Sequence, residues 1–411
     1  MMPQASIFLV CAFLLPFAPS SSTSSSEDLP PELQETCSSS DDASSCSRGP
    51  HAHMAAADDG KISDRALGCL LGALVGDASG AVLEFQKTKV TAKEVAKALT
   101  MPGGGVWKVG PGQITDDGEL TLCLARGLVA GEGKFDLDKV TKEYSAWFDS
   151  PPFDIGTTTT KALEVAFSGL AKVVRKAARD HNQQSQSNGC LMRSTPMALW
   201  GHKLSDAQLM DIVAQEVSLT HPNKDIQNAV GTYVVAAAYL INNGGGTKEA
   251  RKAAFDKAKT VAGPLAREWL ELAASNEHFS VDGKGMGWIK WGFTLAFRHL
   301  LYAESYEAAL RDTLVLDGDT DTNACIVGGL YGAAVGASAI PTHLKEPVLS
   351  YSFEDKGGQR RPPFLYSRQA PGLAAELMRL APSAGPQDAA NDQTCGGGGG
   401  GGQCDAKAFA D

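Results

Sequence analysis

The chain has 411 residues, of which 43% are hydrophobic, and it carries a formal net charge of −10 at pH 7. This length permits two or three ordinary domains or one large helical domain, with ample apolar content for a sizeable core. The acidic balance argues against a general nucleic-acid binder or a protein that binds anionic membranes, because both need a basic surface. A small anionic ligand is not excluded, since a bound metal ion inverts the local charge.

Residues 1–63 differ in composition from the rest of the chain. An apolar run at 7–18 precedes a Ser/Thr tract and resembles the hydrophobic region of a signal peptide, although it lacks a basic start. The run is short for a membrane span. Residues 20–50 are rich in Ser and Asp, which predicts disorder. Two destinations stay open: a secretory route, or the cytoplasm if translation starts near Met54.

Residues 64–381 show a helical pattern nearly throughout, and alternating β-branched runs are almost absent. We therefore predict an all-α fold: a single compact, orthogonal multi-helix domain with its functional loops at helix ends. Ser205 is a candidate N-cap. Residues 382–411, with a glycine run at 396–402, are predicted to be a disordered tail. The predicted helical segments are 64–85, 119–130, 161–178, 206–219, 224–241, 248–274, 288–301, 306–315 and 322–337.

Glycine recurs at every fourth position of the first predicted helix, at residues 68, 72, 76 and 80. Each glycine costs about 1 kcal/mol relative to alanine in a helix. Four on one stripe indicate that another helix backbone approaches closely there. The same spacing is typical of dimerising membrane helices, but Arg65, Asp77 and Glu84 interrupt the apolar run. We predict a tightly packed helix inside a soluble domain, and no membrane span in the folded body.

The nine cysteines form no CxxC pair and no zinc-binding pattern. Four of them lie in apolar or small-residue segments, which predicts buried free thiols: Cys69, Cys123, Cys190 and Cys325. The four in the low-complexity ends could pair in an oxidising compartment: Cys37, Cys46, Cys395 and Cys404.

Two short acidic clusters lie about two hundred residues apart, at 115–117 and 319–322, and each leads into an apolar helical pattern. They offer only oxygen ligands, which suit Mg²⁺ and disfavour zinc or copper. Asp and Thr before a helix are also ordinary N-cap residues. Capping needs one oxygen, however, and each cluster offers at least three. If the fold brings the clusters together, they form a two-metal site at helix ends.

Five blocks in order, at 68–85, 112–117, 188–193, 219–222 and 318–322, resemble those of the ADP-ribosylglycohydrolases. The resemblance covers roughly residues 64–350. It implies an all-α catalytic domain that binds two Mg²⁺ ions and hydrolyses the N- or O-glycosidic bond between ADP-ribose and an acceptor. The implied substrate is an ADP-ribosylated protein or a small-molecule ADP-ribose conjugate. The protein itself is expected to be a monomer. The implied metal ligands are Thr115, Asp116, Asp117, Asp319, Asp321 and Thr322, whereas Thr320 is the least suited to contact metal.

The resemblance also implies that Glu84 is the general acid or base. Without it, a solvated glutamate at a helix end would be the favoured interpretation. Glu84 lies seven positions after Asp77, and this spacing predicts that both lie on one helical face. Asp77 itself is interpreted as a structural partner, capping a loop or supporting the metal ligands.

The resemblance also implies a set of residues that contact ADP-ribose: Asn188, Gly189, Cys190, Met192, Arg193, His221, Asp154 and Gly156. Backbone amides of the loop at 185–193 can hold a pyrophosphate before a helix start, although Asn188-Gly189 also fits a plain turn. Arg193 either faces the diphosphate or braces the loop. A lone histidine such as His221 is usually structural, but its position matches one that lines the ADP-ribose site in the family.

Asp154 matches a segment that faces the leaving group in the family, where a carboxylate can pair with a guanidinium. This favours ADP-ribosyl-arginine over ADP-ribosyl-serine or poly(ADP-ribose). Two positions depart from the family pattern, Gly118 and Asp317, and neither removes an implied ligand. Two other functions stay open: an ADP-ribose-binding protein with little turnover, and a Mg²⁺-dependent phosphohydrolase.

Overall fold

A computed structural model describes residues 50–383 apart from 87, 276 and 282, with side chains from residue 59 onward. The predicted signal-like run, both low-complexity ends and their four cysteines lie outside this range. The predicted all-α fold is confirmed, since the described residues contain helices, two isolated β-bridges and no strand. The helices are α1 (Pro50–Gly80), α2 (Ala92–Ala98), α3 (Asp116–Ala130), α4 (Leu137–Phe148), α5 (Thr157–Leu163), α6 (Ala171–His181), α7 (Thr195–Trp200), α8 (Asp206–Val217), α9 (Lys224–Asn243), α10 (Lys248–Val261), α11 (Pro264–Ser275), α12 (Ile289–Tyr302), α13 (Tyr306–Leu314), α14 (Thr320–Val335), α15 (Thr342–Leu349), α16 (Phe353–Lys356) and α17 (Ala370–Arg379).

Helices α1 and α14 form the central pair of the domain and run antiparallel. A methyl group on Gly72 would lie 2.3 Å from the carbonyl oxygen of Gly328, and one on Gly76 would lie 2.0 Å from that of Ala324. The close backbone approach predicted from the glycine stripe is therefore confirmed. Helix α14 is buried on every side from Thr320 to Ala334, as expected of a helix that is apolar all round.

The other long helices surround this pair. Helices α9, α12 and α13 pack on α14, whereas α3, α15 and α17 pack on α1. The four cysteines predicted as buried free thiols are confirmed in that state. No helix within residues 50–383 combines the length and apolar character needed to cross a membrane.

Three predicted helices differ from the observed ones. The segment at 161–178 is broken by a 3-10 turn and by Gly169, whose φ is 61°. The segment at 248–274 is broken at Gly263-Pro264, because proline lacks the amide that would continue the helix. Helix α1 ends at Gly80, so the prediction that Glu84 shares a helical face with Asp77 was wrong. The N-cap at Ser205 is confirmed as a capping box with Gln208.

Candidate active site

Three chain segments converge at one end of the central pair. These are the end of helix α1, the start of α14 and the N-terminus of α3. Helix α3 packs against both α1 and α14. A cleft of about 460 Å³ opens at this end. Both acidic clusters lie at its floor, so residues two hundred positions apart in sequence share one site.

Asp77 caps helix α3 from the neighbouring helix. Its carboxylate accepts hydrogen bonds from the amides of Thr115, at 3.0 Å, and Gly118, at 2.8 Å, and from the Thr115 hydroxyl at 2.9 Å. The side chains of Thr115 and Asp319 make no cap hydrogen bond to their own helices. N-capping therefore does not account for either cluster.

The two departures from the family pattern have local explanations. A methyl group on Gly118 would lie 2.7 Å from Oδ2 of Asp77, so the missing side chain allows the cap to approach. Asp317 accepts a hydrogen bond from the amide of Val90 at 3.3 Å and one from the amide of Gly318 at 2.9 Å. The extra carboxylate is thus engaged by backbone amides.

Two groups of carboxylate oxygens are close enough to hold a metal ion. One comprises Asp77, Asp117 and Asp321, the other Glu84, Asp319 and Asp321, and within each group the oxygens lie within 4.8 Å of one another. Asp321 belongs to both groups. Oδ1 of Asp117 is buried without a hydrogen-bond partner among the described residues. This all-oxygen donor set with an unsatisfied buried oxygen fits a hard divalent cation.

The electrostatics of the cleft point in the same direction. Six carboxylates line it, and no lysine or arginine does so within the described part of the chain. Burial raises the pKa of Asp117 well above its usual range, and repulsion from Asp77 and Asp319 adds to the shift. Burial likewise raises the pKa of Asp321, with repulsion from Glu84 adding to it. A cation would remove this mutual repulsion.

Glu84 lies in the turn after α1 and is 5% exposed at the cleft. Burial raises its pKa to about 8, and repulsion from Asp319 and Asp154 adds to the shift. A hydrogen bond from the indole of Trp107 opposes it. A carboxyl group with such a pKa is suited to exchange a proton near neutral pH.

The cleft walls come from two loops and the start of α5. The amide of Asn188 donates to the carbonyl of Gly287 at 3.0 Å, and its side-chain amide donates to Oδ2 of Asp319 at 2.7 Å. The structure therefore links the predicted ADP-ribose loop directly to the second acidic cluster. The predicted residues that line the cleft are Glu84, Asp116, Asp117, Asp154, Gly156, Asn188, Gly189, Met192, Asp319, Asp321 and Thr322.

The other predicted site residues lie beneath the cleft surface, where Thr115, Cys190, Arg193 and His221 are all fully buried. Arg193 pairs with the carboxylate of Glu216 at 2.9 Å and donates to the carbonyl of Gly189 at 3.0 Å, so it braces the loop.

His221 bonds through Nε2 to the hydroxyl of Ser187 at 2.9 Å. Burial lowers its pKa to about 3, and the positive charge of Arg193 adds to the shift, so the ring is neutral. His221 therefore supports Ser187, which lines the cleft, and does not itself line it.

A C-terminal segment at 359–361 ties two cleft loops together, and sequence reasoning missed it. Gln359 donates to the carbonyl of Trp107, and Arg361 donates to the carbonyls of Ser150 and Pro151, just before Asp154. Arg361 also forms a buried ion pair with Glu119, at 2.8 Å. In the sequence, the glycines at 103–105 mark a turn before Trp107, but they do not indicate that Gln359 contacts it.

Replacing Arg361 with methionine is expected to lower the free energy of unfolding by about 3–5 kcal/mol, because it leaves the carboxylate of Glu119 buried without its cation. Urea unfolding followed by circular dichroism measures the loss. Arg379→Met is the matched control, because the Arg379–Glu376 pair is exposed to solvent and such pairs contribute little to stability. Equal losses in the two variants would contradict the assignment.

Comparison with known proteins identifies related chains. A sequence model of the ADP-ribosylglycohydrolase family matches residues 58–382. The chain is 29% identical over 286 residues to the ADP-ribosyl-dinitrogen-reductase glycohydrolase of Rhodospirillum rubrum, covering 68% of this chain and 89% of that protein. It is 27% identical over 334 residues to an ADP-ribosylarginine hydrolase of Pseudomonas putida (strain GB-1), covering 79% and 81%.

Among solved structures, the chain is similar to one described as an ADP-ribosylglycohydrolase-related protein complex. The TM-score is 0.62 at 25% sequence identity, and the match covers 78% of this chain and 99% of that chain. The likeness thus extends over the whole of the related fold.

Proposed function

Because the chain belongs to the ADP-ribosylglycohydrolase family, we propose that it hydrolyses the glycosidic bond between ADP-ribose and an acceptor, with protein ADP-ribosyl-arginine as the favoured substrate. The observation that carries the proposal is the pair of carboxylate groups that share Asp321 on the floor of the cleft, one of which includes Glu84. The action reverses ADP-ribosylation.

Two Mg²⁺ ions are the proposed cofactors. Asp117 and Asp321 would hold one, with Asp77 behind them, and Asp319 and Asp321 would hold the other, with Asp116, Thr115 and Thr322 completing the set. Two features of the described residues support this assignment: Oδ1 of Asp117 has no hydrogen-bond partner among them, and no lysine or arginine among them lines the cleft. Such ions would act as Lewis acids in the cleft and would lower the pKa of a water.

The chain's own residues supply orientation and proton transfer. Cleavage of a ribosyl bond develops positive charge at the anomeric carbon, and the acidic lining of the cleft would stabilise such charge wherever a carboxylate stays ionised and free of metal. Glu84 would hold the proton that passes between water and the leaving group. Asn188, Gly189 and Gly156 would contact ADP-ribose, with Arg193 and His221 holding the loop from beneath.

Asp154 supports the choice of an arginine acceptor. Burial raises the pKa of this carboxyl to about 7, and repulsion from Asp319 adds to the shift. A guanidinium is permanently charged and planar, so it can pair with the carboxylate through two hydrogen bonds. The hydroxyl of a serine acceptor offers one neutral donor. The name of the Pseudomonas putida relative agrees with this preference.

Release of ADP-ribose from a panel of substrates tests the proposal. The panel comprises ADP-ribosyl-arginine peptide, ADP-ribosyl-serine peptide and poly(ADP-ribose), each with native protein, EDTA-treated protein and protein resupplied with Mg²⁺. We expect the highest rate on the arginine conjugate, loss of turnover after chelation and its return with Mg²⁺.

The other outcomes separate the alternatives. Unchanged turnover after complete chelation would contradict the metal assignment. Binding of ADP-ribose without hydrolysis of any conjugate would indicate a binding protein, and release of inorganic phosphate would indicate a phosphohydrolase.

A further inference from the structure

The indole of Trp107 makes a hydrogen bond to Glu84 from outside the acidic clusters. Its Nε1 donates to Oε2 of Glu84 at 2.6 Å. An indole N–H can donate and cannot accept. Oε2 is therefore held as an acceptor, and Oε1 is the carboxylate oxygen that the indole does not engage.

The loop that carries Trp107 is built to reach this position. Gly104 and Val109 exchange two backbone hydrogen bonds, of 2.8 and 2.9 Å, and close a tight hairpin. Gly105 has a φ of 68°, and a methyl group there would lie 2.9 Å from the carbonyl oxygen of Ala81. The hairpin thus packs directly on the turn that carries Glu84, which a side chain at 105 would prevent.

Neighbouring groups fix the orientation of the ring. Trp107 packs edge-on against Phe85, with centroids 6.1 Å apart, and tilted against Phe153, with centroids 6.3 Å apart. Gln359 donates to its backbone carbonyl, and the amide group of Gln113 pairs with the backbone of Gln359. The indole is therefore held on several sides and can hold Glu84 in turn.

We propose that Trp107 is a positioning residue, whose indole N–H fixes the carboxylate of Glu84 with Oε1 directed to the reacting bond. This inference rests on the proposed function, because it assigns Trp107 a part in the same reaction. Without the donor, the carboxylate of Glu84 is no longer held in one orientation.

Trp107→Phe tests the inference, because it keeps an aromatic ring that can pack against Phe85 and Phe153 and removes the part of the indole that carries the donor. We expect kcat on the ADP-ribosyl-arginine peptide to fall about 10- to 100-fold, the range for a lost hydrogen bond to a charged group. KM should change less than threefold. In a Glu84→Ala background, Trp107→Phe should change the residual rate less than twofold, because no carboxylate remains to be positioned.

A spectroscopic measurement separates this inference from the proposed function. In ¹⁵N-labelled protein, the indole resonance of Trp107 is identified by its loss in Trp107→Phe. We expect Glu84→Ala to move that resonance upfield and speed its exchange with solvent. This holds whether or not the protein hydrolyses any conjugate.

Two results would overturn the inference. One is a native-like kcat in Trp107→Phe while the native protein hydrolyses the peptide. The other is an indole resonance that Glu84→Ala leaves in place. Absence of hydrolysis by the native protein, with the resonance shifted as expected, would instead remove the proposed function and keep the hydrogen bond.

Discussion

Replacing Asp321 with asparagine is expected to reduce hydrolysis by roughly a thousandfold or more, the scale seen when one member of a group that acts as a unit is removed. Asp321 is the residue that both carboxylate groups share, so its loss disrupts both. Asparagine keeps the side-chain oxygen that accepts the amide of Thr322 at 2.9 Å. Initial rates on the ADP-ribosyl-arginine peptide measure the effect.

The same variant should separate function from stability. Burial and repulsion from Glu84 and Asp117 disfavour the charged form of Asp321 in the folded protein, and asparagine removes that repulsion. We therefore expect the metal-free variant to melt at the native temperature or above it. In the native protein, Mg²⁺ at a hundred times its Kd should add about 2.7 kcal/mol of stability for each site that it fills, whereas the variant should gain little.

Asp312→Asn is the matched control, because Asp312 is an exposed aspartate on α13. It should leave both turnover and the Mg²⁺-dependent rise in melting temperature as in the native protein. Near-native turnover of Asp321→Asn, or an unchanged response to Mg²⁺, would exclude Asp321 from the metal centre.

The two acidic clusters could be singled out from sequence because the pattern of each is local. Three oxygen-bearing residues in a row, such as 115–117, exceed what a helix cap needs, and the structure caps α3 with Asp77 instead. The contact between Trp107 and Glu84 could not be predicted in this way. It depends on three positive-φ glycines, at 103–105, that bring a hairpin onto the turn after α1. Hydrophobic periodicity predicts helices and strands, and it does not predict the course of such a loop.

The buried positions of Arg193 and His221 show a second limit of prediction from sequence. The motif match placed His221 at an ADP-ribose site and left Arg193 either facing the diphosphate or bracing the loop, because such a match does not say which side of a loop a residue occupies. Arg193 lies under the loop because Glu216, on α8, offers it a buried carboxylate. That partner lies 23 residues away on another element, and only the packing of α8 reveals it.

The pairing of α1 with α14 could have been predicted from the pattern of small residues in the sequence. Small residues also recur at every fourth position of α14 and its end, at 324, 328, 332 and 336. In antiparallel order, those at 324, 328 and 332 face Gly76, Gly72 and Gly68 of α1. Two stripes of equal length and spacing predict each other as partners, because only small residues on both sides allow the backbones to meet.

Replacing Gly80 with alanine is expected to damage both stability and catalysis. The new methyl group would lie 2.4 Å from the backbone nitrogen and Cα of Asp321, so the start of α14 must shift. Overpacking of this kind costs typically about 1–3 kcal/mol. A displacement of about 1 Å at a reacting group can lower the rate by about a hundredfold. Urea unfolding and kcat on the ADP-ribosyl-arginine peptide measure the two effects.

Gly68→Ala is the matched control at the other end of the same helix pair. Its methyl group would lie 2.4 Å from the carbonyl oxygen of Gly332, an equal overlap about 18 Å from Gly80 along α1. Both variants should lose similar unfolding free energy, but only Gly80→Ala should lose turnover and Mg²⁺ affinity. Equal kcat values in the two would mean that the glycine stripe serves packing alone. A loss confined to Gly80→Ala would mean that the close approach of the two helices also sets the position of Asp321.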